Sequence, residues 1–282
     1  MPHVVTIVLL DGNPNGIKVI DIAGWSGKAF VIPRGRIKEI KEREGVQQPG
    51  VYFLFAEGED KPAVYIGQSE NFFERLVGHE ANKEKWNVAV VFTGGLDSAH
   101  IKNLESVAIT IVRKIGRYEL DQITPRENVI SEAQRYAVHD YFERVKFIMT
   151  LLGFNLFEEV PKEKQAEEIY FLEDVHNKDA LARGTLLSTG EFVVYVGSRA
   201  RIGETGGFIK HVKSSFNLRR NLIEKGVLRP LSGTNSYEFT DDYIFTSPSA
   251  AADVVHGRAC NGWTGWKDKN GKTLDENKRK VG

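Results

Sequence analysis

Gly50-Val51-Tyr52 opens one strand-like run, GVYFLF, and Tyr65-Ile66-Gly67 closes the next, AVYIG. The polar stretch AEGEDKP joins them as a hairpin with a longer loop. Tyr52 and Tyr65 therefore lie on adjoining strands and reach a common place. Arg75 comes eight residues after Gly67, and His79 four after that. A spacing of four stacks both side chains on one helix face. Glu105 follows on a helix stripe that otherwise holds Ile101, Ala108 and Val112. A carboxylate on an apolar stripe is desolvated at a cost unless something positive meets it. An arginine or a bound divalent metal would serve. A hard cation such as Mg2+ commonly takes one or two carboxylates, with water and substrate phosphate completing its shell.

The elements that must position these groups are legible as three blocks. Residues 1–48 hold the short strands VVTIVLL, IKVIDIAGW and KAFVIP, a DGNPNG turn, and a charged stretch from Arg34 to Glu44 that reads as helix. Residues 49–157 hold the hairpin, a short amphipathic helix in NFFERLVGHE and a third strand in NVAVVFTG. Two long helices follow, over AHIKNLESVAITIVRKIG and ISEAQRYAVHDYFERVKFIMTLLG. Residues 158–179 carry eight acids and three lysines and read as an acidic linker. Residues 180–282 hold strands around LARGTLL and EFVVYVGS and a basic helical stretch, FIKHVKSSFNLRRNLIEKGVL. A helix at SPSAAADVVHG would be capped by Ser247, with Pro248 in its first turn. The polar tail GWTGWKDKNGKTLDENKRK is expected to fray.

Composition excludes several classes. The 282 residues are 41% hydrophobic and 27% charged, enough for a packed core. No apolar run approaches the ~20 residues of a membrane helix, and the amino terminus lacks the pattern of a secretory signal. A cytoplasmic protein with no membrane partner is expected. The single cysteine, Cys260, excludes a disulfide framework, a Cys-Cys zinc site and an iron–sulfur cluster. There is no phosphate-binding G-x-x-x-x-G-K-[ST] loop, no G-x-S-x-G elbow and no H-E-x-x-H. The seven histidines are scattered singly. Net charge is zero, yet residues 199–229 hold eight Lys/Arg against two acids, and local patches set the field that phosphates meet.

GVYFL, VYIGQSENFFERLVGH and the helix bearing LESVAI, over about residues 48–125, resemble the GIY-YIG nuclease family. The resemblance implies an α+β domain with a small three-stranded antiparallel sheet flanked by helices. It would carry an N-terminal β-rich extension and a C-terminal α+β domain. It also implies single-metal hydrolysis of a phosphodiester in double-stranded or branched DNA. Tyr52 and Tyr65 would flank the attacking water, one of them as general base. Arg75 would neutralise charge on the phosphoryl oxygens. Glu105 would hold Mg2+ or Mn2+, and His79 would bind phosphate or relay a proton. Gly67 would let backbone approach the site, and Gln68 and Gln122 would contact substrate. Two departures bear on turnover. Gln68 stands where some members carry lysine, and Gln122, with Asn128 beyond it, stands where many carry asparagine. The alternative reading is a nuclease-like DNA-binding protein with weak or absent catalysis.

The flanks also resemble sequences found beside this nuclease domain. IVLLDGNPNGIKVIDIAGWSGKAFVIPR resembles a leader, and about 180–276 resembles a C-terminal domain of unknown function. Lys210, Lys213, Arg219, Arg220 and Lys225 lie along the basic helical stretch and are expected to touch phosphates. Trp263 and Trp266 either stack on unpaired bases or close the core. Oligomeric state is left open.

Overall fold

The computed structural model describes residues 4–58, 61–82, 85–120, 122–123, 130–174 and 177–280. The chain divides into two units, Met1–Glu158 and Glu159–Gly282. Both mix helices with antiparallel sheet, as an α+β reading requires. No helix among the described residues is long and apolar enough to cross a membrane.

In the first unit the strands are β1 (Val5–Leu9), β2 (Lys18–Ile22), β3 (Lys28–Pro33), β4 (Gly50–Ala56), β5 (Ala63–Ser69) and β6 (Val88–Thr93). The helices are α1 (Phe72–Ala81), α2 (Ser98–Ile115) and α3 (Glu132–Leu151). All six strands form one antiparallel sheet in the order β1-β2-β3-β6-β4-β5. This corrects two expectations. The sheet that carries the two tyrosines has six strands rather than three, and three of them, β1 to β3, come from the stretch expected to be a separate N-terminal extension. Alternating apolar residues reveal that a strand exists, not which strand lies beside it. Here β6 offers β4 one edge and β3 the other, with Lys28 opposite Thr93 through to Pro33 opposite Val88. The expected helix over Arg34–Glu44 is one 3-10 turn, Ile37–Ile40. Its two isoleucines are three apart and both buried, which suits three residues per turn.

Strand alternation splits the hairpin between two cores. Val51, Phe53, Phe55, Val64 and Ile66 pack with Ile101, Leu104, Ala108 and Val112 of α2 and with α3. Tyr52 and Leu54 pack on the opposite face with Phe72 and Leu76 of α1. Local chemistry fixes the helix ends. Asn71 caps α1, Asp97 caps α2, and Gly116 ends α2 with a φ of 71°.

The second unit contains β7 (Tyr170–Asp174), β8 (Asn177–Leu186), β9 (Phe192–Val194), β10 (Arg199–Arg201), β11 (Leu228–Pro230), β12 (Ser236–Phe239) and β13 (Tyr243–Phe245). Its helices are α4 (Phe208–His211), α5 (Lys213–Glu224), α6 (Pro248–His256), α7 (Gly262–Gly265) and α8 (Leu274–Lys278). One sheet runs β13-β9-β8-β7 and another β10-β12-β11. The supposed acidic linker thus supplies β7, whose Tyr170 and Leu172 are core residues among acids. Ser247 and Pro248 begin α6 as expected. The tail does not fray. Lys267 exchanges backbone hydrogen bonds with Phe171 at 2.7 and 3.0 Å, and Thr273 and Glu276 form a capping box on α8.

Candidate active site

Tyr52 stands on β4 directly opposite Gly67 of β5. Its hydroxyl lies 2.9 Å from His79 Nε2 and accepts a hydrogen bond from Arg75 Nε at 3.2 Å. Arg75 and His79 share one face of α1, so the four-residue spacing delivers both to one phenol. The Tyr65 ring stacks against that of Tyr52, with centroids 6.2 Å apart and planes 23° apart. His79 presents its edge to both tyrosines, with centroids 5.4 Å away in each case. Tyr52 and His79 are buried, whereas Tyr65 is 36% exposed and Arg75 opens to solvent. The site thus has two interior groups, Tyr52 and His79, and two exposed ones, Tyr65 and Arg75.

Glu105 approaches this group from the other side of the sheet, near enough to feel the charge of Arg75. Its helix, α2, packs on the face opposite α1. The Gln68 backbone N–H, at the outer edge of β5, lies near the carboxylate and favours its charged form. That edge is occupied along its length. Glu119 O accepts from Val64 N at 3.0 Å, and Glu119 N donates to Pro62 O at 2.9 Å. Gln122 then acts as a strand would: Oε1 accepts from Ile66 N, and Nε2 donates to Ile66 O, both at 2.7 Å.

The electrostatics follow from burial. Desolvation holds the Tyr52 phenol well above the usual tyrosine range, and the hydrogen bond from Arg75 only partly offsets it. Desolvation also raises the Glu105 carboxyl, against the pull of the Gln68 N–H and the charge of Arg75. Arg75 is held more firmly cationic by its bond to Tyr52 and by the nearby Tyr65 phenol. No group of three or more His, Cys, Asp or Glu side chains gathers as a metal site among the described residues. The donor set is instead one half-buried carboxylate, which fits a hard cation completed by water and phosphate.

The five expected catalytic side chains, Tyr52, Tyr65, Arg75, His79 and Glu105, therefore converge on the β4–β5 hairpin. The expected substrate contacts divide. Gly67 is required by Tyr52, because a Cβ there would collide with the Tyr52 ring and hydroxyl; the space above it is filled by phenol, not left for substrate. Gln122 is committed to Ile66 through both ends of its amide. Gln68 serves through its main chain, a role no residue type advertises, since every residue except proline has that N–H. Asn128 lies outside the described residues.

In the second unit, Lys210, Lys213, Arg220 and Lys225 are exposed, although Val212 breaks their stretch into α4 and α5. Arg219 departs from expectation. It is fully buried, bonded to the carbonyls of Val254 and Arg201 and paired with Glu204 at 3.4 Å. Ser215, Arg219 and Leu222 form the inward stripe of α5, and that spacing was the available signal. Trp266 is 0% exposed, lies 4.4 Å from the Phe192 ring centroid, and donates to Pro248 O at 3.0 Å. It closes the core and has no face for a base. Trp263 is half-buried beneath the Arg279 guanidinium, 3.4 Å from its ring centroid.

No curated protein matches the chain, and no solved structure does. Residues 173–278 match a family model described as a domain of unknown function (DUF4357).

Proposed function

We propose that the first unit is a metal-dependent DNA endonuclease of the GIY-YIG type. The observation that supports this most is the hydrogen-bonded group Arg75–Tyr52–His79, with the Glu105 carboxylate held at the adjoining strand edge. Tyr52 is the better candidate for general base, because its hydroxyl adjoins a buried imidazole that can take its proton. With that proton on His79 Nε2, the phenolate keeps Arg75 as counter-ion and draws a proton from water as the water attacks phosphorus. Tyr65, the more exposed phenol, packs beside the nucleophile. Arg75, with its remaining donors facing solvent, meets the charge that grows on the non-bridging oxygens. Glu105 would hold Mg2+ or Mn2+, which supplies charge stabilisation for the departing 3′-oxygen.

Lys210, Lys213, Arg220 and Lys225 would add salt-dependent affinity for the DNA backbone without reading sequence. A second reading draws on the burial that keeps Tyr52 protonated: a protein of the same architecture that binds DNA and cuts it poorly or not at all.

Plasmid nicking with Mg2+ or Mn2+ separates these. Cutting by the wild type that is lost in both Glu105→Ala and Arg75→Ala supports the nuclease. Equal cutting by all three overturns it. Salt-dependent binding without cutting selects the second reading.

A further inference from the structure

The two edges of the six-stranded sheet are finished differently. The β5 edge is covered by Glu119 and Gln122, as described above. Among the described residues nothing pairs with the β1 edge. Leu10 N donates to Ile17 O, and Ala23 N donates to Val4 O, so the even-numbered residues of this segment bond to β2. By ladder alternation, Val5, Ile7 and Leu9 turn their N–H and C=O groups outward. Among the described residues no strand pairs with them. Val4, Ile7 and Val8 are 69%, 44% and 46% exposed. The segment Val4–Leu10 reads VVTIVLL, with no charge, proline or glycine. Edge strands in soluble proteins are ordinarily blunted by lysine, proline or a bulge, and β1 has none of these.

We infer that β1 is the interface between two copies of this chain, paired antiparallel about a two-fold axis at Ile7. The segment is self-complementary in that register. Ile7 lies opposite its own copy, Val5 opposite Leu9, and Thr6 opposite Val8. Apolar cross-strand pairs of this kind stabilise a ladder. About six backbone hydrogen bonds form, two at each outward-facing pair. With no charge on either copy, nothing in the contact repels a second copy, and an isologous pairing closes on itself as a dimer. The sheet becomes continuous through both chains. The two hairpins carrying Tyr52 then occupy its far ends, roughly 50 Å apart at ~4.8 Å per strand.

The test is the mass of the full-length protein in solution across a concentration series, by light scattering or sedimentation. The expected result is a species of twice 31.7 kDa for the wild type. Ile7→Lys places a charge at the axis and should give the monomer. Ile7→Pro removes an N–H that faces away from β2, so it strikes the interface without deleting a ladder bond inside the chain. Circular dichroism should report both variants folded. A wild type that stays at 31.7 kDa throughout overturns the inference. So does a dimer that survives Ile7→Lys with its fold intact. Neither readout depends on nuclease activity.

Discussion

The Tyr52 hydroxyl and His79 Nε2 lie 2.9 Å apart, with both residues almost wholly buried. The contact couples strand β4 to helix α1, and in the tautomer with the proton on Nδ1 it gives the phenol an onward proton acceptor. If the pair acts as one unit, Tyr52→Phe and His79→Ala should each cost about 10²–10⁴ in cleavage rate. The double variant should cost little more than either alone. Single-turnover rates on a nicked-product assay check this. Additive losses would separate the two residues mechanistically.

Glu105 gives a stability signature. Its carboxyl is raised in the folded state by burial. The unfolded chain then ionises first as pH climbs, so stability falls from the ordinary glutamate range up to the folded pKa and is level above it. Glu105→Gln keeps the shape of the side chain and removes this loss. In chelator, the variant should melt higher than the wild type at neutral pH and equally at a pH below the unfolded value of about 4.3. Added Mg2+ or Mn2+ should raise the melting temperature of the wild type and leave that of the variant unmoved.

Gln122 braces the strand that bears Tyr65 and Gly67. Truncation to alanine leaves both Ile66 backbone groups without their partner, a loss of about 1–3 kcal/mol. A carboxylate in place of the amide would be no better, because it cannot donate to Ile66 O; Gln122→Glu should therefore destabilise as much as Gln122→Ala. Denaturant melts give the magnitudes. Hydrogen exchange at the Ile66 amide locates the change.

Neighbouring arginines on α5 should behave oppositely. Arg220→Ala should alter stability by less than about 0.5 kcal/mol and reduce both DNA affinity and its dependence on salt. Arg219→Ala strips partners from the Val254, Arg201 and Ile202 carbonyls and from Glu204 and should cost ~3 kcal/mol. Thermal melts and titrations at several salt concentrations distinguish the two positions.

How much of this was legible depended on the kind of signal. The hairpin, α1 and α2 could be read because their apolar residues alternate or recur at helical spacing. Those same periods placed Arg75 beside His79 and set Glu105 on an inward stripe. Sheet order could not be read, since β3 and β6 are separated by 54 residues between Pro33 and Val88 with no local mark of their pairing. Arg219 was legible in principle: it shares a stripe with Ser215 and Leu222, but charge on a helix suggests solvent. Gln122 was not, because a side chain that imitates backbone leaves no periodic trace. Trp266 sat in a polar stretch whose composition concealed a core position.

The pairing of β3 with β6 has a practical corollary. Phe30 of β3 packs 5.9 Å from Phe72, centroid to centroid, at the start of the helix that carries Arg75 and His79. A fragment trimmed to begin at Pro49 would look like a tidy minimal enzyme. It would lose the buttress under that helix and uncover an apolar six-residue strand, Val88–Thr93, to whatever chain came next. Such a fragment should collect in inclusion bodies when expressed, and its inactivity would say nothing about the chemistry of the intact protein.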